Sequence, residues 1–255
     1  MTTQNLRDRL ATGKPFLFSW MTVASAQLAG QVARLPFDGV NLDLQHGQID
    51  FGDASAMIAA ISAAGKPAIV RVLWNDPGLV GQALDAGASA IIAPMINSRA
   101  QAEALVKSAK YPPMGQRSWG GYTMVQTAKM TAGEYLAQAN KVTLVFAMVE
   151  TREALDAVDE IAAVPGLDGL FVGPSDLSIA LSNGTGINKT ADYTLAAMDK
   201  VAAACKRNGL FAGAFAGDAA IANEYFSHGF TFLAAGVDVD LMRIGAAAIL
   251  KDIKL

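Results

Sequence analysis

Val142-Thr143-Leu144-Val145-Phe146-Ala147-Met148-Val149 is an eight-residue run with one polar member, and it ends abruptly at Glu150-Thr151-Arg152. A short run this apolar reads as a strand buried on both faces, as in a parallel sheet. Similar runs recur along the chain. With this one they predict eight strands, over 16–20, 38–43, 67–72, 90–94, 142–149, 169–173, 210–215 and 231–235. Ala-rich amphipathic segments lie between them and predict helices over 24–34, 51–64, 77–86, 98–110, 152–163, 191–208 and 219–228. Asp76 can cap a helix with Pro77 at its first position, and Gly87 can close its last turn. Strands alternating with helices imply right-handed crossovers and a parallel sheet. Eight repeats in 255 residues, near the ~250 of one such barrel, predict an α/β fold, a single (β/α)₈ TIM barrel over 1–255.

Two segments break the rhythm. The stretch 111–122 is rich in Pro and Gly and interrupts the connection between the fourth and fifth strands. A long irregular segment inside a compact domain usually serves function. The last segment, 239–255, reads as a helix apolar along much of its length, packed on its own barrel or exchanged with a neighbouring subunit.

Composition narrows the function. Apolar residues make up 52% and charged residues 17%, so partner subunits are expected to cover part of the surface. A net charge of −3 offers no basic footprint for nucleic acid or an anionic membrane. No apolar run is long enough for a bilayer span, and residues 1–14 lack the apolar core of a signal peptide. Cys205 is the one cysteine, so no intrachain disulfide forms; a cytoplasmic enzyme is expected, with Cys205 as packing.

In such a barrel, chemistry sits where the strands end. The polar residues there are Asp43 with Gln45 and His46, then Arg71, then Glu150, and finally Gly173-Pro174-Ser175-Asp176. Glu150 and Asp176, on neighbouring strand ends, look like a divalent-cation site; Mg²⁺ takes few protein carboxylates and leaves room for substrate and water. Either could instead serve a helix start, Asp176 as the cap of 177–181. The helix opening at Gly173 and Ser175 offers backbone N–H groups to an anion. Arg71 suits a keto acid or a developing oxyanion, or else a rim ion pair. His46 is the natural general base unless the backbone satisfies it. His228, before Gly229 at a helix end, reads as structural. Asp85 lies ~12 Å down its helix from the rim and should not reach its own active site; a role would be on a neighbour's His46. No lysine stands at a strand end, which disfavours a Schiff base.

With its landmarks in this order, the chain resembles the HpcH/HpaI aldolase family over about residues 16–244. They are Phe37-Asp38-Gly39-Val40, Asp43-Leu44-Gln45-His46-Gly47, Val70-Arg71-Val72, Leu84-Asp85-Ala86-Gly87-Ala88, Pro94-Met95, Tyr111-Pro112-Pro113-Met114-Gly115-Gln116-Arg117, Gly169 to Leu177, and Ala235-Gly236-Val237-Asp238. The resemblance implies a class II pyruvate aldolase that cleaves 4-hydroxy-2-oxo acids to pyruvate and an aldehyde. It implies Glu150 and Asp176 as ligands of Mg²⁺, Mn²⁺ or Co²⁺, His46 as base with Asp85 raising its basicity, and Arg71 stabilising the transition state. It further implies a carboxylate held at Ser175 and Asp176, an exchanged C-terminal helix, and a hexamer built as a dimer of trimers. Two positions depart: family members often carry Glu where Gln45 stands and Gln where Met148 stands, and Met148 cannot make that hydrogen bond to substrate. Rival readings are an acyl-CoA or phosphoenolpyruvate-type lyase, a phosphate-binding isomerase using Gly213, Gly217 and Gly236, and a non-catalytic metabolite-binding barrel.

Overall fold

The computed structural model describes residues 5–253 apart from Asn75 and Asp252. Eight parallel strands close into a barrel in chain order: β1 (Phe16–Met21), β2 (Gly39–Asp43), β3 (Ala68–Arg71), β4 (Ala90–Ala93), β5 (Leu144–Val149), β6 (Gly169–Val172), β7 (Phe211–Gly217) and β8 (Phe232–Val237). All eight expected strands are present. β7 and β8 run two residues further than expected, because register irregularities between Phe215 and Gly217, and along the β1–β8 edge, let small residues prolong the pairing.

The pleat sorts the core into two layers. Phe16, Phe18 and Trp20 alternate into the barrel, where they meet Phe146, Phe171 and Phe232; Phe146 and Phe232 stack at 4.6 Å. The outward residues of most strands pack instead under the helices. Below the barrel, the short helix α1 (Leu6–Ala11), which no sequence pattern indicated, plugs the interior with Leu6 and Leu10.

The remaining helices are α2 (Ala26–Val32), α3 (Phe51–Ala63), α4 (Pro77–Ala86), α5 (Arg99–Ala109), α6 (Tyr122–Ala128), α7 (Ala132–Val142), α8 (Arg152–Asp156), α9 (Val158–Ala162), α10 (Pro174–Leu181), α11 (Asp192–Asn208), α12 (Ala219–Ser227) and α13 (Asp238–Leu250). Several helix ends shift by one or two residues, and three boundaries differ more substantially. The helix expected over 152–163 divides at Ala157, whose ψ of 8° interrupts the helical turn. Val142 closes α7, and Thr143 caps it by donating its hydroxyl to Ala139 O, so β5 starts at Leu144. The C-terminal helix ends at Leu250; of the expected 239–255, residues 252, 254 and 255 lie outside the described residues.

Lys110 is fully buried at the end of the barrel where β5 and β6 begin. Its ammonium donates to Thr143 O (2.7 Å), Asn140 O (3.1 Å) and Asp168 (2.7 Å). That is the end opposite the strand termini that carry the site, so the most buried lysine is a structural strut. Burial likewise pushes the Cys205 thiol up to about 12, as expected of a packing residue. No described helix is long and apolar enough to cross a membrane.

Candidate active site

Register places the first pair of functional groups. β2 and β3 align Asp43 opposite Arg71, at the rim where both strands end. Arg71 Nε donates to Asp43 Oδ1 at 2.8 Å and Nη2 to Oδ2 at 2.6 Å, a two-pronged pair. Trp20 Nε1 adds a hydrogen bond to Oδ2 at 3.1 Å, and the guanidinium lies 4.8 Å from the Trp20 ring centroid. Burial works to raise the Asp43 carboxyl, but Arg71, the His46 N–H and the indole outweigh it and hold it below the ordinary carboxylate value. Arg71 is thus fixed on one edge, while its Nη1 has no protein partner among the described residues.

The same carboxylate shapes the turn that follows β2. Asp43 Oδ1 accepts from Gln45 N (3.1 Å) and His46 N (3.2 Å). A Cβ on Gly47 would stand 2.2 Å from Asp43 O, so only glycine lets the chain fold back here. His46 is left exposed at the cavity edge. The sequence marks Asp43 as a strand-end polar residue and gives it no role. A carboxylate at the rim, one strand away from a rim arginine, was the available signal.

Glu150 follows β5 and is 3% exposed. Its Oε1 accepts from Met95 N at 2.7 Å, and Met95 holds a left-handed φ of 58° in the loop after β4. A Cβ on Gly173 would lie 2.5 Å from Glu150 Oε2, so glycine is required for the two strand ends to approach. Burial, reinforced by the charge of Asp176, pushes the Glu150 carboxyl up to about 7, against the Met95 N–H and Arg71. This is the signature of negative charge crowded into a low-dielectric rim without enough positive charge. The donor set fits a hard divalent cation. Oε2 has no hydrogen-bond partner among the described residues, and Asp176 is exposed toward the cavity. Among those residues no group of three or more His, Cys, Asp or Glu gathers, so two carboxylates are what the protein supplies.

Asp176 is not a helix cap. α10 begins at Pro174 with Gly173 at the cap position, which puts Asp176 at the third helical residue. No side chain caps α10, so the N–H groups of its first turn remain available to an anion.

These elements enclose a cavity of about 280 Å³. His46, Arg71, Gly173, Ser175 and Asp176 line it, together with Trp20, Asp43, Met148 and Phe215. Asp85 does not. It sits on α4, paired at 2.5 Å with Arg117, whose guanidinium lies 4.6 Å from the Tyr111 ring centroid in the segment before α6. Arg117 is buried and the Asp85 side chain is 31% exposed, so part of this carboxylate faces outward from its own protomer. His228 caps α12 and meets Asp199 at 2.6 Å; this keeps its pKa above the ordinary value, in agreement with a structural role.

The sequence profile of the HpcH/HpaI aldolase/citrate lyase family matches residues 17–244. The chain belongs to that family. It is similar to the hydroxypyruvate/pyruvate aldolase of Rhizorhabdus wittichii, with 36% identity over 240 residues covering 94% of both chains. It is also similar to the 4-hydroxy-2-oxo-heptane-1,7-dioate aldolase of Klebsiella pneumoniae, with 31% identity covering 95% of this chain and 91% of that one. The crystal structure of an HpcH/HpaI aldolase from Desulfitobacterium hafniense superposes with a TM-score of 0.89 at 26% identity, over 98% of each chain. As an HpcH/HpaI member the chain is a carbon–carbon lyase. The rim cavity is the place in this HpcH/HpaI barrel where buried charge, an uncommitted guanidinium edge and free helix N–H groups coincide.

Proposed function

We propose that the protein is a divalent-cation-dependent aldolase that reversibly cleaves 4-hydroxy-2-oxo acids to pyruvate and an aldehyde. One observation carries the reading: a half-committed arginine, Asp176 and an exposed histidine line one cavity, and the buried Glu150 carboxylate stands against Gly173 in that lining, close enough to feel the charge of Asp176. The N–H groups opening α10, at Ser175 and Asp176, hold the substrate carboxylate. Arg71 Nη1 donates to the 2-oxo oxygen, where charge accumulates as the bond breaks. His46 takes the proton of the 4-hydroxyl, the C3–C4 pair moves toward the 2-oxo oxygen, and the aldehyde departs; C3 then takes up a proton to give pyruvate. A Mg²⁺, Mn²⁺ or Co²⁺ ion held by Glu150 and Asp176 supplies Lewis acidity at the 2-oxo group. Met148 adds a thioether beside Gly173 instead of a hydrogen bond, so anchoring falls to Arg71 and α10.

We further propose a homo-oligomer with α13 exchanged between protomers. Among its described residues only Asp238 is buried, while Val239, Met242, Ile244, Ile249 and Leu250 are exposed. An apolar groove of about 520 Å³ lies over the outward faces of β8 and β1, lined by Leu17, Leu233, Ala235 and Phe226 and, along one side, by Leu241 and Ile244 of the protomer's own α13. In the assembly Asp85 would act on a neighbour's His46.

Pyruvate release from a panel of 4-hydroxy-2-oxo acids, with each divalent ion in turn, tests the activity. Turnover is expected only with an added ion. Undiminished turnover in EDTA would remove the cation from the scheme, and no release from any member of the panel would remove the aldolase reading.

A further inference from the structure

Asp238 is a buried carboxylate that the bond-breaking chemistry leaves unused. It opens α13 at the end of β8 and is 2% exposed. Among the described residues no cation pairs with it. Four neutral donors hold it instead. Thr22 N and Val23 N donate to Oδ2, each at 2.9 Å. The Thr22 hydroxyl (2.8 Å) and Val239 N (2.9 Å) donate to Oδ1. Together with the positive end of the α13 dipole, these donors offset the cost of burying the group.

Three of the four donors belong to the segment that follows β1, and that segment supports the turn of His46. Thr22 O accepts from Gln48 N at 2.8 Å, and Val23 and Gln48 form a parallel bridge. The packing is close, since a Cβ on Gly47 would stand 3.1 Å from both Thr22 Cα and Thr22 O. The turn is therefore fastened on two sides, by Asp43 at the end of β2 and by Thr22 at the end of β1. The His46 ring has no such support: it is exposed and makes no hydrogen bond among the described residues. Its placement at the cavity edge is inherited from its backbone. Thr22 and Val237, the neighbours of this carboxylate, line the same cavity as His46.

We propose that Asp238 is a positioning residue for His46. By locking Thr22 and Val23 it holds the outer side of the His46 turn and so sets the reach of the imidazole toward the 4-hydroxyl. This rests on the aldolase reading, which gives His46 its proton-accepting role. Arg71 and α10, which hold the 2-oxo acid end, make none of these contacts, so Asp238 acts on the chemical step and not on substrate binding.

The test is cleavage of the 4-hydroxy-2-oxo acid that the wild type turns over best. Asp238→Asn keeps the shape but sets an amide N–H against N–H and O–H donors. It is expected to lower kcat about 10²-fold, the scale of a reacting group displaced by ~1 Å, with KM little changed. Thr22→Val, which removes one hydrogen bond and no buried charge, serves if Asp238→Asn fails to fold. It should lower kcat about fivefold, and Thr22→Ser should restore it. The deciding measurement repeats Asp238→Asn and Thr22→Val in a His46→Ala background. A residue that acts through His46 has nothing left to position there, so the residual kcat should fall no further. A merely structural role would lower kcat by the same factor in both backgrounds. That result would overturn the proposal, as would an unchanged kcat or a loss confined to KM. A wild type that releases no pyruvate would instead bring down the aldolase reading on which the role depends.

Discussion

Arg71 works with one edge of its guanidinium because Asp43 occupies the other, at 2.8 and 2.6 Å. Asp43→Asn keeps the shape but sets an amide N–H against a guanidinium N–H and removes the charge that orients it. A loss of kcat/KM of about 10²-fold is expected, the scale of one misplaced oxyanion donor. Steady-state assays of the variant check it, and near wild-type kcat/KM would show that Arg71 holds its place unaided. Glu150 makes a second prediction. Its folded pKa of about 7 stands above its ordinary 4.5, so without a cation the folded protein holds that proton more tightly than the unfolded chain. The resulting stability is fully present below 4.5 and is lost as pH rises through about 7. In EDTA, Glu150→Gln should match the wild type in Tm at the acid end and exceed it by a few degrees above neutrality. A gap that stays constant with pH would contradict burial as the cause.

The elements differ in how far each is committed to its own protomer. Most helices bury one stripe against the barrel, but α13 sets only Leu241 and Ile244 along the groove over β8 and β1 and shows water the rest of its apolar face. Exposed apolar area on this scale marks an interaction surface. If α13 is exchanged as proposed, ending the chain after Val237 should give monomers, read as a fall in mass by light scattering. An unchanged oligomer would place the interface elsewhere. The segment 111–122 has the opposite character: Arg117, Tyr111, Trp119 and Tyr135 build a small core of their own and hold Asp85 at its edge. The irregular connection is therefore a platform beneath an acid, packed rather than loose.

At the scale of the molecule, His46 stands at the rim and Asp85 on the outer helix layer, so a single protomer does not unite them. If neighbouring subunits do, mixed oligomers of His46→Ala and Asp85→Ala, each nearly inactive alone, should regain activity, since some interfaces then carry both intact residues. Unfolding and refolding the two variants together and assaying the mixture gives the answer. Activity no higher than the sum of the separate variants would confine Asp85 to its pair with Arg117. The (β/α)₈ architecture was legible because eight apolar runs with both faces buried carry a local signature. Its outer helix boundaries were not, because single residues such as Ala157 and Thr143 decide them.

The sequence by itself determined the eight-strand beat and the polar residues that punctuate it: His46, Arg71, Glu150 and Asp176 are legible since each ends an apolar run. Tertiary structure alone decided what those residues do to one another. The β2–β3 register sets Asp43 against Arg71, a left-handed Met95 delivers its N–H to Glu150, and the turn of β7 brings Phe215 under Lys189. Periodicity is a property of neighbours along the chain, whereas charge pairing and pKa depend on distances between residues far apart in sequence, which exist only once the barrel has closed.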